Sequence, residues 1–129
     1  MNKYFANYEQ SLMLKELGFN EPCFTHYLNE VLLIKSLVVD EREKNSSFDN
    51  TRVTAPLKAQ VFKWFRDNYN LVHRINRDGG YWICALLDLY DEDDQGAINI
   101  YIKSNPQTYE KAEDICIDKL IEIVKQKTM

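Results

Sequence analysis

The sequence predicts an α+β fold in which two main helices pack on one face of an antiparallel sheet. Three observations support this fold class: a strong amphipathic helical pattern, a glycine-containing turn between two apolar runs, and a second helical pattern near the end of the chain. The predicted helices and strands form an α-β-β-β-α core at 55–127. An N-terminal helix and hairpin at 1–39 are expected to extend the sheet, a mobile polar loop at 40–54 follows them, and we expect one domain over 1–129.

The first helix is predicted at 8–17 from its boundary residues. Asn7 can cap the helix, and Gln10 occupies the capping-box position three residues later. Gly18 can adopt the left-handed conformation that often ends a helix.

A hairpin is predicted after this helix. Two extended segments, 24–28 and 31–34, flank the pair Asn29-Glu30, which suits a tight turn. The second apolar run continues to Val39 with little alternation, so residues 31–39 are compatible with either a strand or a helix.

The two main helices are predicted at 56–69 and 109–126. Thr54 can cap the first, and Pro56 fits its first turn. Thr108 can cap the second. Apolar side chains at helical spacing give each helix a wide stripe that can face the sheet.

A second hairpin lies between these helices, because Asp78-Gly79-Gly80 tolerates the positive φ angles of a two-residue turn. The alternation of Ile98, Ile100 and Ile102 with polar residues then predicts a half-buried third strand. The parity of the hairpin assigns its residues to two faces. One face carries His73, Ile75, Trp82, Cys84 and Leu86, and the other carries Val72, Arg74, Tyr81, Ile83 and Ala85.

Composition and cysteine content narrow the function classes. The chain has 129 residues and a net charge of -4, which argues against a strongly basic nucleic-acid module. Cys23, Cys84 and Cys116 lie too far apart for a C-x-x-C pair, so we expect reduced, buried thiols. The sequence contains no leader-like segment and no apolar stretch of membrane-spanning length, so we expect a cytoplasmic protein.

The order helix, three strands, helix resembles the topology of the double-stranded-RNA-binding domain. The RNA-contacting residues of that family are not retained, since the last helix starts Thr108-Tyr109-Glu110-Lys111-Ala112 and the hairpin loop is Arg77-Asp78-Gly79-Gly80.

The chain is more similar to short uncharacterised proteins encoded by phages and prophages of gut anaerobic bacteria. The similarity rests on three stretches of sequence. They are the run from Tyr8-Glu9-Gln10-Ser11 to Pro22-Cys23-Phe24, then Thr54-Ala55-Pro56 with Phe62-Lys63-Trp64-Phe65-Arg66, and last Thr108-Tyr109-Glu110-Lys111-Ala112 with 120–125. The resemblance implies a small phage accessory protein in the host bacterial cytoplasm, with no known chemistry.

Candidate catalytic and metal-binding residues are few. Asp91, Asp93 and Gln95 match part of a calcium-loop template, but its closing Glu is replaced by Ile102, so we expect a solvated acidic turn at 91–96. A metal or ligand site, or a small hydrolase site, in this loop is the second alternative function. His73 and His26 are possible general bases, but the sequence indicates no Ser or Cys nucleophile with an orienting carboxylate near either one. We therefore predict no catalytic residues, no cofactor and no metal.

Two surface features are candidate binding sites. Arg74, Arg77, Tyr81 and Trp82 can form a basic and aromatic patch near the hairpin tip, which suits nucleic acid or a protein partner, although Trp82 is also compatible with the core. Ile115 projects onto the polar face of the last helix and can contact a partner. We expect a non-enzymatic protein that binds a host or phage protein, with nucleic-acid binding as the alternative.

Overall fold

The computed structural model describes residues 2–34, 42–48, 50–88, 98–103 and 108–128. Within these ranges the chain forms helices and two antiparallel sheets, so the predicted α+β class is confirmed. The helices are α1 (Tyr8–Glu16), α2 (Lys58–Tyr69) and α3 (Tyr109–Thr128). The strands are β1 (Thr25–Leu28), β2 (Val31–Ile34), β3 (Arg52–Thr54), β4 (Leu71–Asp78), β5 (Tyr81–Asp88) and β6 (Ile98–Lys103).

The chain divides into two compact units, residues 1–60 and 61–129. The first contains a sheet in the order β2-β1-β3, and the second contains a sheet in the order β4-β5-β6. The N-terminal hairpin pairs with β3 in a separate sheet, so the prediction that it extends the β4-β5-β6 sheet is wrong. A single domain over 1–129 stays a prediction.

In the first unit, α1 begins and ends as its sequence predicts. Asn7 N donates to Gln10 Oε1 at 2.9 Å, and Gln10 N donates to Asn7 Oδ1 at 2.7 Å, which completes the capping box. Gly18 follows the helix at φ +97°, where a residue without Cβ is unstrained.

The β1–β2 hairpin confirms the strand interpretation of residues 31–34. Asn29 and Glu30 both have positive φ, 49° and 72°, and they form the two-residue turn between Leu28 and Val31. The rest of the run, residues 35–39, lies outside the described residues.

The predicted polar loop at 40–54 contains a strand that the sequence analysis missed. Its last residues form β3, which pairs with β1, and Val53 is buried. The buried side chain of Asn45 helps to hold β3 in place because it bridges two backbone groups. Its Nδ2 donates to Phe19 O at 2.8 Å, and Thr54 N donates to its Oδ1 at 2.9 Å. Residues 40, 41 and 49 lie outside the described residues.

The start of α2 differs from the prediction, whereas that of α3 matches it. Thr54 belongs to β3 and α2 begins at Lys58, so the predicted Thr54 cap is wrong. Leu57 N donates instead to Gln60 Oε1 at 3.0 Å. At α3, Lys111 N donates to Thr108 Oγ1 at 3.2 Å, as expected for a capping residue.

In the second unit, the β4–β5 hairpin turns at Gly79-Gly80, one of the two positions that the sequence allows, and its faces divide as predicted. Asp78 pairs with Tyr81 across the turn, and His73 and Ile75 pair with Leu86 and Cys84. The face that carries these last four residues is the one that both helices cover, as the following contacts show.

Two contacts fix α3 to this face, and a third fixes α2. The α3 contacts are the bond between Cys84 and Cys116 and the edge-to-face packing of Trp82 on Tyr109. The α2 contact is the stack of Phe62 on His73, with ring centroids 3.5 Å apart. Because alternate residues of a strand share a face, both helices lie on the same side of the sheet, which confirms the prediction.

The expectation of three reduced cysteines is wrong for two of them. Cys84 and Cys116 form a disulfide with a Cα–Cα distance of 6.1 Å, and both residues are buried. The pairing is invisible in the sequence because it depends on how α3 lies on β5. Cys23 is free and buried, and burial raises the pKa of its thiol to about 12.

We expect the Cys84–Cys116 disulfide to stabilise the protein substantially. The bond closes a loop between residues 32 positions apart, so its reduction should lower the free energy of unfolding by about 3–4 kcal/mol. The measurement is urea unfolding with and without dithiothreitol.

The double variant Cys84→Ala, Cys116→Ala should lose this dependence on the reductant. Cys23→Ala is the matched control, because it removes a buried thiol outside the disulfide and should retain the dependence. Equal stability of the oxidised and reduced wild-type protein would contradict the prediction.

Candidate functional site

Strand β2 is an apolar strand at the edge of its sheet. In the order β2-β1-β3 it has one hydrogen-bonded neighbour within the described residues. Val31 is 58% exposed, Leu33 is 38% exposed and Ile34 is 47% exposed. Natural edge strands usually carry charges, proline or bulges that discourage pairing. The four residues of β2 are all uncharged and aliphatic, so the strand lacks these protections.

The backbone direction in this sheet follows from the bonds between β1 and β3. Ala55 N donates to Thr25 O at 3.0 Å, and Asn29 N donates to Thr51 O at 3.5 Å. Thr25 and Asn29 therefore direct their backbone groups towards β3. Since this direction alternates along an antiparallel strand, the even-numbered residues of β1 direct theirs towards β2.

The alternation determines which groups of β2 face outwards. The even-numbered residues of β1 pair with Val31 and Leu33. The N–H and C=O groups of Leu32 and Ile34 consequently point to the open edge of the sheet. The edge thus presents two hydrogen-bond donors and two acceptors beside exposed aliphatic side chains.

The two faces of β2 have different surroundings. Leu32 packs with Tyr27 and Val53, and α1 contributes Tyr8 and Leu12 to the same cluster. The register places Ile34 on this face as well, but its side chain is about half exposed.

Val31 and Leu33 lie on the opposite face, in the rows of Leu28 and His26. The Phe48 ring is tilted against His26 at 5.3 Å. Exposed aliphatic side chains therefore occur on both faces of β2, a pattern typical of strands that lie inside a larger sheet.

The predicted basic and aromatic patch is only partly brought together. Arg77 and Trp82 are cross-strand partners, and the guanidinium lies 5.5 Å from the ring centroid. Tyr109 packs edge-to-face on Trp82 at 5.4 Å and is 41% exposed. Arg74 is exposed on the other face of β4, and the side chain of Tyr81 lies outside the described residues. Sequence reasoning missed Tyr109, which only the packing of α3 brings to Trp82.

The remaining sequence candidates give weaker sites. Ile115 is half-buried, so α3 leaves only part of it open to a partner. The acidic segment 91–96 lies outside the described residues. Among the residues that are described, no group of three or more metal-ligating side chains converges. In the same part of the chain, no helix combines the length and apolar character that a membrane span requires.

The two histidines pack against aromatic rings. His26 is buried beside Phe48, and His73 stacks on Phe62. Burial lowers the pKa of His73 to about 4, with a smaller contribution from the positive charge of Arg66. The imidazole of His73 is therefore neutral at pH 7 and takes part in helix–sheet packing.

Comparison with protein-family models, with curated proteins and with solved structures finds no match to this chain.

We expect His73 to make the protein less stable in mild acid. Its folded-state pKa of about 4 lies below the ordinary value of 6.5. The unfolded chain therefore binds a proton between these values that the folded chain excludes. Stability from this group is fully present above pH 6.5 and falls as the pH drops towards 4. Because His73 is partly exposed, we expect a loss of about 1–2 kcal/mol.

Urea unfolding across this pH range tests the effect. His73→Phe keeps the aromatic stack and should flatten the pH dependence by this amount relative to the wild type. Identical pH profiles for the two proteins would contradict the assignment.

Proposed function

We propose that this chain is a non-enzymatic accessory protein of a phage or mobile element that binds a protein partner through the open edge of β2. The observation that carries the proposal is the combination, on one edge, of exposed aliphatic side chains with the outward backbone groups of Leu32 and Ile34. The similarity of three sequence stretches to phage and prophage proteins supports the biological setting.

Strand addition is the binding mode that suits this edge. An extended, uncharged segment of the partner lies antiparallel to β2 and exchanges backbone hydrogen bonds with Leu32 and Ile34. Its side chains cover Val31 and Leu33 on one face and Ile34 on the other. Burying three half-exposed aliphatic side chains of this chain contributes about 3 kcal/mol, and the partner's buried side chains and the backbone hydrogen bonds add to it, before the ordering costs of association. We therefore expect weak binding for the edge alone.

The cytoplasmic location expected from the sequence remains part of this proposal. The Cys84–Cys116 disulfide bears on it, because buried disulfides are typical of oxidising compartments and rare in the cytosol of mesophiles. Counting free thiols in the protein from rapidly quenched cells decides the matter: three thiols support the cytoplasm, and one thiol supports an oxidising compartment.

The edge hypothesis predicts that an apolar extended peptide binds at β2. We expect a fluorescein-labelled peptide Lys-Thr-Val-Leu-Val-Thr-Lys to bind with a Kd on the order of 100 µM. Fluorescence anisotropy measures the binding at physiological ionic strength. Ile34→Pro should weaken it at least fivefold, because it removes an outward N–H and leaves the β1 ladder unchanged.

Two controls distinguish strand addition from nonspecific hydrophobic binding. The peptide with its central Leu replaced by Pro should not bind, since it cannot complete the ladder. Tyr4→Ser removes an exposed aromatic side chain that is not part of β2 and should leave the affinity unchanged. Equal binding by wild-type and Ile34→Pro proteins would refute the edge as the binding site.

Nucleic-acid binding is the second candidate, and the contacts of Trp82 with Arg77 and with Tyr109 favour it. A guanidinium beside exposed aromatic surface can hold a phosphate while a base stacks. This candidate predicts that a single-stranded oligonucleotide binds with an affinity that falls steeply with salt and falls several-fold further in Arg77→Ala. Arg74→Ala, on the opposite face, is the matched control. Salt-independent anisotropy of a labelled oligonucleotide, equal in both variants, would eliminate this candidate.

A further inference from the structure

The occupant of the β2 edge follows from the geometry of the edge itself. We infer that a second copy of this chain adds to β2 around a twofold axis, so that the two three-stranded sheets become one six-stranded sheet. This inference rests on the proposed function, because it names the partner at the same edge.

The hydrogen-bonding pattern of β2 is self-complementary. A twofold axis perpendicular to the sheet keeps each face on its own side, so opposed residues must belong to the same face. If the axis passes beside Leu33, then Leu32 of one copy lies opposite Ile34 of the other. On the other side of the axis, Ile34 of the first copy lies opposite Leu32 of the second. These are the two residues whose N–H and C=O groups point outwards. All four groups of each copy are satisfied at once, without a change in the β1 ladder.

The side chains match in the same register. Leu33 lies opposite the Leu33 of the second copy, on the face that also carries His26. Leu32 lies opposite Ile34 on the face that α1 covers. The three pairs that residues 32–34 form are all aliphatic, and cross-strand aliphatic pairs of this kind stabilise a sheet.

Charge also favours this edge as the meeting point of two copies. Each chain has a net charge of -4, so two copies repel each other at long range. The four residues of β2 carry no charge, and their approach therefore adds no local repulsion. Added salt screens the net repulsion and should strengthen the dimer, whereas it would weaken a complex with nucleic acid.

The size of the edge sets the expected affinity. Specific stable interfaces bury at least about 1,000 Å², and a four-residue strand with three half-exposed aliphatic side chains supplies less than this. We therefore expect a reversible dimer with a Kd on the order of 100 µM, so association must be measured over a wide range of protein concentration.

The test is sedimentation velocity of the full chain under non-reducing conditions, from low micromolar to millimolar concentration. The wild-type protein should change from monomer to dimer. Leu33→Lys and Leu33→Glu should each raise the concentration at the monomer–dimer midpoint at least tenfold, because the axis places two like charges side by side. Tyr4→Ser should dimerise like the wild type.

Mixing the two Leu33 variants gives the sharpest result. Only a twofold pairing at residue 33 places the Lys of one variant opposite the Glu of the other, so the mixture should recover dimerisation. A dimer that persists in both single variants, or a mixture that stays monomeric while the wild type dimerises, would overturn the inferred register.

A wild-type protein that stays monomeric at every concentration would also overturn the inference. If it still bound the apolar peptide in an Ile34→Pro-sensitive way, the proposed function would stand with a partner other than a second copy. If it bound neither, the proposed function would fail as well.

Discussion

The outward N–H and C=O groups of Leu32 and Ile34 are the constraint on which the functional account depends. Backbone polar groups need partners, and β1 can satisfy only those β2 residues that face it. β1 is the central strand and uses its other residues for β3. Pairing with another strand would satisfy these groups and also remove the surrounding aliphatic side chains from water.

The two units maintain their structures in different ways. In the first, the buried Asn45 side chain adds polar contacts to the apolar packing of Val53, because Asn45 donates to Phe19 O and accepts from Thr54 N. In the second, aromatic stacking and the disulfide fix the helices to the sheet. The proposed binding edge, β2, belongs to the first unit. Reduction of Cys84 and Cys116 should therefore lower the stability of the second unit. Their redox state in the cell would also indicate the compartment in which the protein occurs.

The sequence predicts local features well because their causes lie within a few residues. The capping box of Asn7 and Gln10, the Thr108 cap and the parity of the β4–β5 hairpin are of this kind. The features that it misses depend on residues far apart in the chain. The short strand β3 exists because of Asn45 and β1, and the disulfide exists because α3 lies on β5.

The candidate site shows the same division. The sequence identifies Val31–Ile34 as apolar but leaves strand and helix open, and edge exposure appears only when the strand order is known. The pairing of Arg77 with Trp82 is predictable from the hairpin, whereas the addition of Tyr109 requires the docking of α3.

Amide hydrogen exchange by NMR tests the central claim most directly. In dilute, monomeric protein, the amides of Leu32 and Ile34 should exchange rapidly, while that of Leu33 is protected by its bond to β1. Strong protection of Leu32 and Ile34 that does not change on dilution would contradict the account, because it would mean that the edge is already covered within one chain.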